Sequence, residues 1–98
     1  MPYKLIVRDK ALAEMQDAFD WYEKAVNGLG DKFLQRIEHY NQLISSNPLQ
    51  FKTTYKNFRE VYLRQFPFVL VYFVDEKKKA VVIFSVFHCK KNPKKKFK

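Results

Sequence analysis

The sequence predicts an α+β domain of two layers, built as strand–helix–helix–antiparallel β-meander, with the helical hairpin packed on one face of the sheet. Three observations carry this. Residues 58–88 read FREVYLRQFPFVLVYFVDEKKKAVVIFSVFH, three strand-like runs with short connections. Residues 11–44 carry apolar side chains at three- and four-residue steps, the spacing of amphipathic helices. A breaker run, Asn27-Gly28-Leu29-Gly30, divides those residues into two helices.

Tyr3–Val7 is a short strand candidate closed by Arg8-Asp9, and Asp9 is placed to cap the helix that follows. That helix has the stripe Ala11, Met15, Ala18, Phe19, Tyr22 and Val26. Glu14, Asp17, Asp20 and Lys24 fall largely outside it. Trp21 sits at its rim, either shielding the core or anchoring a partner. The second helix shows Phe33, Leu34, Ile37, Tyr40 and Ile44, and Ser45-Ser46-Asn47-Pro48 stops it. His39 lies opposite that stripe, as a surface histidine. Phe51–Tyr55 offers a further short strand.

Phe58–Gln65 alternates, with Arg59, Val61 and Leu63 on one side and Glu60, Tyr62 and Arg64 on the other. Such a run suits a strand half in water. Phe66-Pro67 interrupts it, because proline brings no N–H to a ladder. Phe68–Val74 and Ala80–Phe87 are almost continuously β-branched or aromatic, the composition of strands covered on both faces. Connections this short leave room only for antiparallel neighbours. The helices supply one cover, and the chain offers no evident second one. The stretch 89–98 holds Lys90, Lys91, Lys94, Lys95, Lys96 and Lys98 around Pro93 and Phe97, and reads as a basic, solvated tail.

At 98 residues the chain is expected to be a single domain spanning 1–98. Charge is uneven along it. Residues 1–50 carry six Lys and Arg against seven Asp and Glu; residues 51–98 carry thirteen against three. A basic half attached to a near-neutral one points to a polyanion or an acidic partner. No apolar run approaches the ~20 residues of a membrane span, and the start lacks the apolar core of a signal peptide, so a cytoplasmic location is expected. With two glycines there is no Gly-rich phosphate loop, and the single Cys89 with no HExxH pattern gives neither metal nor cofactor any support. What remains is a cluster of cations on strands. Arg59, Arg64 and His88 lie at or near strand ends, where they could converge on a phosphate. A histidine can act as acid or base near neutrality, and arginine can hold a phosphate with two donors.

Five segments, in order, resemble the RelE/ParE toxin superfamily of type II toxin–antitoxin systems. They are AEMQDAFDWYEK, GLGDKFLQRIE, NPLQF, FREVYLRQFPFVLVYFVD and VFHCKKNP, and the likeness spans nearly the whole chain. It is closer to the ParE-like branch, often called plasmid stabilisation proteins, than to the RelE nucleases. The resemblance implies a compact toxin neutralised by a cognate antitoxin, whose segment would supply the missing cover, in a heterotetramer or larger complex. ParE-like members inhibit DNA gyrase; RelE-like members cut mRNA on the ribosome. A third reading is a basic binding module without toxicity. By position, Arg59 matches the motif arginine before the Phe-Pro turn and His88 the histidine ending the last strand, catalytic residues only if the chain is a nuclease. Trp21, Lys90, Lys91, Lys94 and Lys95 are the expected partner-binding residues. Lys90 or Lys91 stands where the family often has arginine, Phe68 replaces a tyrosine, and Phe97 falls near a usual tryptophan. Lysine keeps the charge and loses the bidentate fork.

Overall fold

The computed structural model describes residues 3–98. Its elements are β1 (Lys4–Val7), α1 (Asp9–Ala25), α2 (Leu29–Ser46), β2 (Thr53–Tyr55), β3 (Phe58–Tyr62), β4 (Phe68–Asp75) and β5 (Ala80–His88), with 3-10 turns at Pro48–Gln50 and Pro93–Lys95. The five strands form one sheet in the order β1-β5-β4-β3-β2. The expected meander is β3-β4-β5, and every pairing is antiparallel except β1 with β5. Both helices lie on one face. There Phe33, Ile37 and Ile44 of α2 and Ala11 and Ala18 of α1 meet Val61, Leu70, Tyr72, Val81, Ile83 and Val86 of the sheet.

Several local expectations are corrected. Asp9 is the first residue of α1 rather than its cap; Arg8 holds the cap position, and no side chain bonds there. The acidic group still favours the helix start through the positive end of the backbone dipole. Val26 has left the helix, at φ −146°, and is 59% exposed, while Leu34 is 39% exposed rather than part of the core. β3 stops at Tyr62, before the expected Gln65: Leu63 N closes a last rung onto Phe68 O, and the chain then turns, with Gln65 at φ 71°. The first helix ends at the extended Val26 and not at a glycine; Gly28, at the left-handed φ of 88°, is the cap that opens α2, and Gly30 is helical. A Cβ on Gly30 would stand 2.8 Å from the Phe19 carbonyl oxygen, so glycine there permits the close approach of the two helices. The start of α2 is satisfied by Glu23 of α1, whose carboxylate accepts from the N–H groups of Gly28, Gly30 and Asp31.

The second face of the sheet is the largest correction. It is covered, and the cover is the lysine-rich tail. Val69, Val71 and Phe87 are buried there, with Phe58, Phe84 and Phe97 packed against them. The Phe97 ring lies 4.6 Å from that of Tyr55 and 5.0 Å from that of Phe58. Pro93 opens the 3-10 turn, and Asn92 accepts from Lys94 N to fix it. Lys96 reaches Glu60 at 3.1 Å in a largely buried ion pair. Burial of Phe97, worth roughly 1.5–3 kcal/mol, is one of several contacts that hold the tail back, beside the Lys96–Glu60 pair and the Asn92 turn.

A further anchor holds the segment between α2 and β2. Tyr72, fully buried on β4, donates its hydroxyl to Pro48 O at 2.6 Å. Its cross-strand neighbour Arg59 donates from Nη1 to Phe51 O. Burial pushes the Tyr72 phenol up to about 12, with the Arg59 charge pulling it back part of the way.

Phe33→Ala or Ile37→Ala should cost roughly 2–5 kcal/mol by leaving cavities between α2 and the sheet, read from urea unfolding. Melting temperatures unchanged in both would refute the packing described. Tyr72→Phe should cost about 1–3 kcal/mol at neutral pH by leaving the Pro48 carbonyl unpaired. Because the folded phenol is raised from 10.0 to about 12, its protonated form stabilises the fold fully below pH 10, and that contribution is lost as pH rises towards 12. The wild type should therefore lose more stability than Tyr72→Phe across that window. Parallel losses would refute the phenol as the cause.

Candidate functional site

β5 contains one residue more than β4 opposite it. Tyr72 pairs with Ile83 and Val71 with Ser85, so Phe84 is extra and the strand bulges. The bulge turns Ser85 and the N–H of Val86 towards α1. One oxygen of Glu14 takes both, from Ser85 Oγ at 2.8 Å and from Val86 N at 3.0 Å. This bond fixes α1 against the end of β5, and beyond it the two elements part.

The gap is a cleft of about 330 Å³. Asp17, Trp21 and Tyr22 of α1 form one wall, Phe68 and Val86 the floor, and His88 with Lys91 the other wall. Trp21 is 72% exposed, so it shields little of the core and stands free on the rim. Burial raises the Tyr22 phenol above its ordinary range, leaving it a neutral hydroxyl. An apolar floor, a free indole and charges of both signs on the walls suit a protein segment carrying an apolar anchor.

His88 ends β5 opposite Phe68, with the two rings 4.9 Å apart edge to face. Its Nδ1 accepts from the backbone N–H of Lys90 at 3.0 Å. In the neutral ring Nε2 then carries the hydrogen, so the imidazole offers the cleft a donor and has no free lone pair to act as a base.

The three residues expected to converge on a phosphate are not brought together. Arg59 lies opposite Tyr72 and His88 opposite Phe68, four residues apart along β4 and on different sides of it. At ~3.3 Å per residue that is ~13 Å along the strand alone. The Arg59 guanidinium is moreover bonded to Phe51 O. Arg64 is exposed in the β3–β4 turn, at the same end of the sheet as His88. The lysines fan out around the end of β5. Lys90 is exposed beside His88, Lys91 lines the cleft, Lys94 lies near Tyr55 and Phe97, and Lys95 lies near Arg8 and Lys10. His39 is exposed on α2, beside Arg36 and Gln65. Among the described residues no group of three His, Cys, Asp or Glu could hold a metal ion, and no helix is long and apolar enough to cross a membrane.

Sequence reasoning missed Glu14 and Asp17 as site residues. The available signal was that both acids neighbour the α1 stripe, two turns and one turn before Trp21, in a chain whose acids are concentrated in its first half.

The fold has counterparts in known proteins. A chain of the chromosomal ParDE toxin–antitoxin system from P. aeruginosa superimposes with a TM-score of 0.76 at 19% identity, over 88% of this chain and 95% of that one. A chain of the toxin–antitoxin complex RelBE2 from Mycobacterium tuberculosis superimposes less closely, with a TM-score of 0.54 at 20% identity, over 90% and 92%. At such identities the likeness concerns the fold. No curated protein matches the chain in sequence. The sequence pattern of the ParE toxin of type II toxin–antitoxin system, parDE, matches residues 5–93. The chain, with its helical hairpin over a five-stranded sheet, belongs to the ParE toxin family of type II toxin–antitoxin systems.

Proposed function

We propose that this toxin acts without catalysis, by binding DNA gyrase in the cytoplasm, and that its cognate antitoxin docks in the cleft between α1 and the end of β5. The observation that carries the non-catalytic reading is the arrangement at His88. Its one lone pair is occupied by the Lys90 N–H, and Arg59 is held away from it on Phe51 O. Cleaving RNA through its 2′-hydroxyl needs a base, an acid and a cation around one phosphate. Arg64, Lys91 and His88 share one end of the sheet and give the cation and a donor; the carboxylates of the cleft stand on α1 across from them, and Glu14 is already bonded to Ser85 and Val86.

The partner reading rests on Trp21. A large indole held in water on the rim of an apolar-floored cleft is costly in a free protein and is the commonest kind of interface anchor. The lysines that follow His88, at 90, 91, 94 and 95, ring that end of the sheet and would meet acidic groups of a partner, steering its approach.

Two experiments test this. Trp21→Ala should weaken binding of the antitoxin encoded beside this gene by about 30-fold or more, the usual loss at such an anchor, and leave the melting temperature unchanged. Undiminished affinity would remove the cleft from the interface. For the target, expression should induce the DNA-damage response, and purified gyrase should stall on cleaved DNA. His88→Ala should keep most of that inhibition, since no proton transfer is asked of it. Ribosome-dependent mRNA cuts that fall about 10²–10⁴-fold in a folded His88→Ala protein would establish the nuclease instead.

A further inference from the structure

A second groove lies on the opposite side of Glu14 from the Trp21 cleft. Arg8, at the start of α1, sets its guanidinium 3.8 Å from the centre of the Phe84 ring and donates from Nη2 to the backbone oxygen of Lys98 at 2.9 Å. Lys10 Nζ donates to the same oxygen at 2.6 Å. These bonds draw the tail towards α1 and bring cations from distant parts of the chain to one place. The resulting groove, about 550 Å³, is lined by Arg8, Lys10, Lys91, Lys95 and Lys98, with Phe87 at its floor. Its one acid, Glu14, is the residue that accepts from Ser85 and Val86. Among the described residues the ion pairs are Lys79–Glu76 and Lys96–Glu60, so none of the five cations is paired with an Asp or Glu side chain; Arg8 and Lys10 are engaged by the Lys98 oxygen, and Lys91, Lys95 and Lys98 make no side-chain hydrogen bond.

We propose that this groove binds the phosphate backbone of duplex DNA without regard to sequence. Charge complementarity points to a polyanion, and the apolar content of the groove selects among polyanions. Phe87 is 3% exposed and Phe84 is capped by Arg8, so the groove has no free aromatic comparable to Trp21. An acidic protein would find no anchor there, and interfaces between proteins concentrate their energy in such anchors. A single strand would find no ring on which to stack an unpaired base. Duplex phosphates need only spaced cations and the release of counterions. The groove adjoins the cleft assigned to the antitoxin and shares Glu14 and Lys91 with it, and its binding of DNA does not depend on gyrase being the target.

The test uses the toxin alone with a fluorescent duplex of about 20 base pairs and no gyrase. Binding should be equal for unrelated sequences, and log K should fall against log salt with a slope of about −3 to −4, as expected for about four phosphate contacts. The double variant Lys91→Glu/Lys95→Glu should lose at least about tenfold in affinity. Lys77→Glu/Lys78→Glu makes the same charge change at the β4–β5 turn and should lose less than about threefold, since screening weakens distant charges. Equal losses would reduce the effect to net charge and overturn the groove. A single strand or a poly-glutamate peptide bound as tightly as the duplex at equal salt would also overturn it. Should the charge-reversed protein not fold, amide shifts in the wild type on adding duplex decide the matter. They must centre on Lys10, Lys91 and Lys95, and shifts centred on Lys77 and Lys78 refute the proposal.

Discussion

A central strand with large apolar side chains on both faces has to be covered twice, and most of this structure follows from that requirement on β4. Phe68, Leu70 and Tyr72 point to one face and Val69 and Val71 to the other, all of them buried. The helical hairpin covers the first face. No further helix is available for the second, so the chain turns back after β5 and lays Phe97 on it, tethered by Lys96 to Glu60. That return path decides where the surface charges go. Lys91 and Lys95 are left at the margin of the covered face, beside Arg8 and Lys10.

Two of the five acids of α1 act inward, while Asp9, Asp17 and Asp20 are exposed. Glu23 closes the start of α2 and Glu14 fastens the helix to the bulge in β5, each bonding backbone N–H groups that would otherwise lack partners. A carboxylate engaged in this way contributes little to the field outside, so the basic half of the chain dominates the surface more than its formal charge suggests.

Much of the fold was legible because it is written as periodicity. The alternation in β3, the unbroken apolar runs of β4 and β5 and the two helical stripes each state which faces must be buried. The tail was not legible. A lone phenylalanine among lysines reads as solvated until the exposed sheet face it covers is known, which is a long-range fact. The site was half legible. His88 and Trp21 stand out as residue types, but whether Arg59 meets His88 depends on register across three strands, which one-dimensional spacing does not fix. The role of Glu14 depends on an inserted residue, Phe84, in a run where every side chain is apolar or small and alternation cannot reveal a bulge. The resemblance to the RelE/ParE superfamily added the antitoxin and the target, which nothing in the periodicity contains.

The bulge also separates the two surfaces that the chain presents. Glu14 forms part of the wall of the Trp21 cleft on one side and of the cationic groove on the other, and Lys91 reaches both. The cleft has a free indole, an apolar floor and walls of both signs, the properties of a site for a folded partner. The groove has cations and no free ring, the properties of a site for phosphates. Two bonds, from Ser85 and Val86 to Glu14, hold α1 where both shapes exist at once. A change in how α1 sits on β5 would therefore alter both sites together, and a segment bound in the cleft against Lys91 would withdraw one cation from the groove. If the two surfaces bind as proposed, occupation of the first would weaken the second through the shared Lys91, without any change of fold.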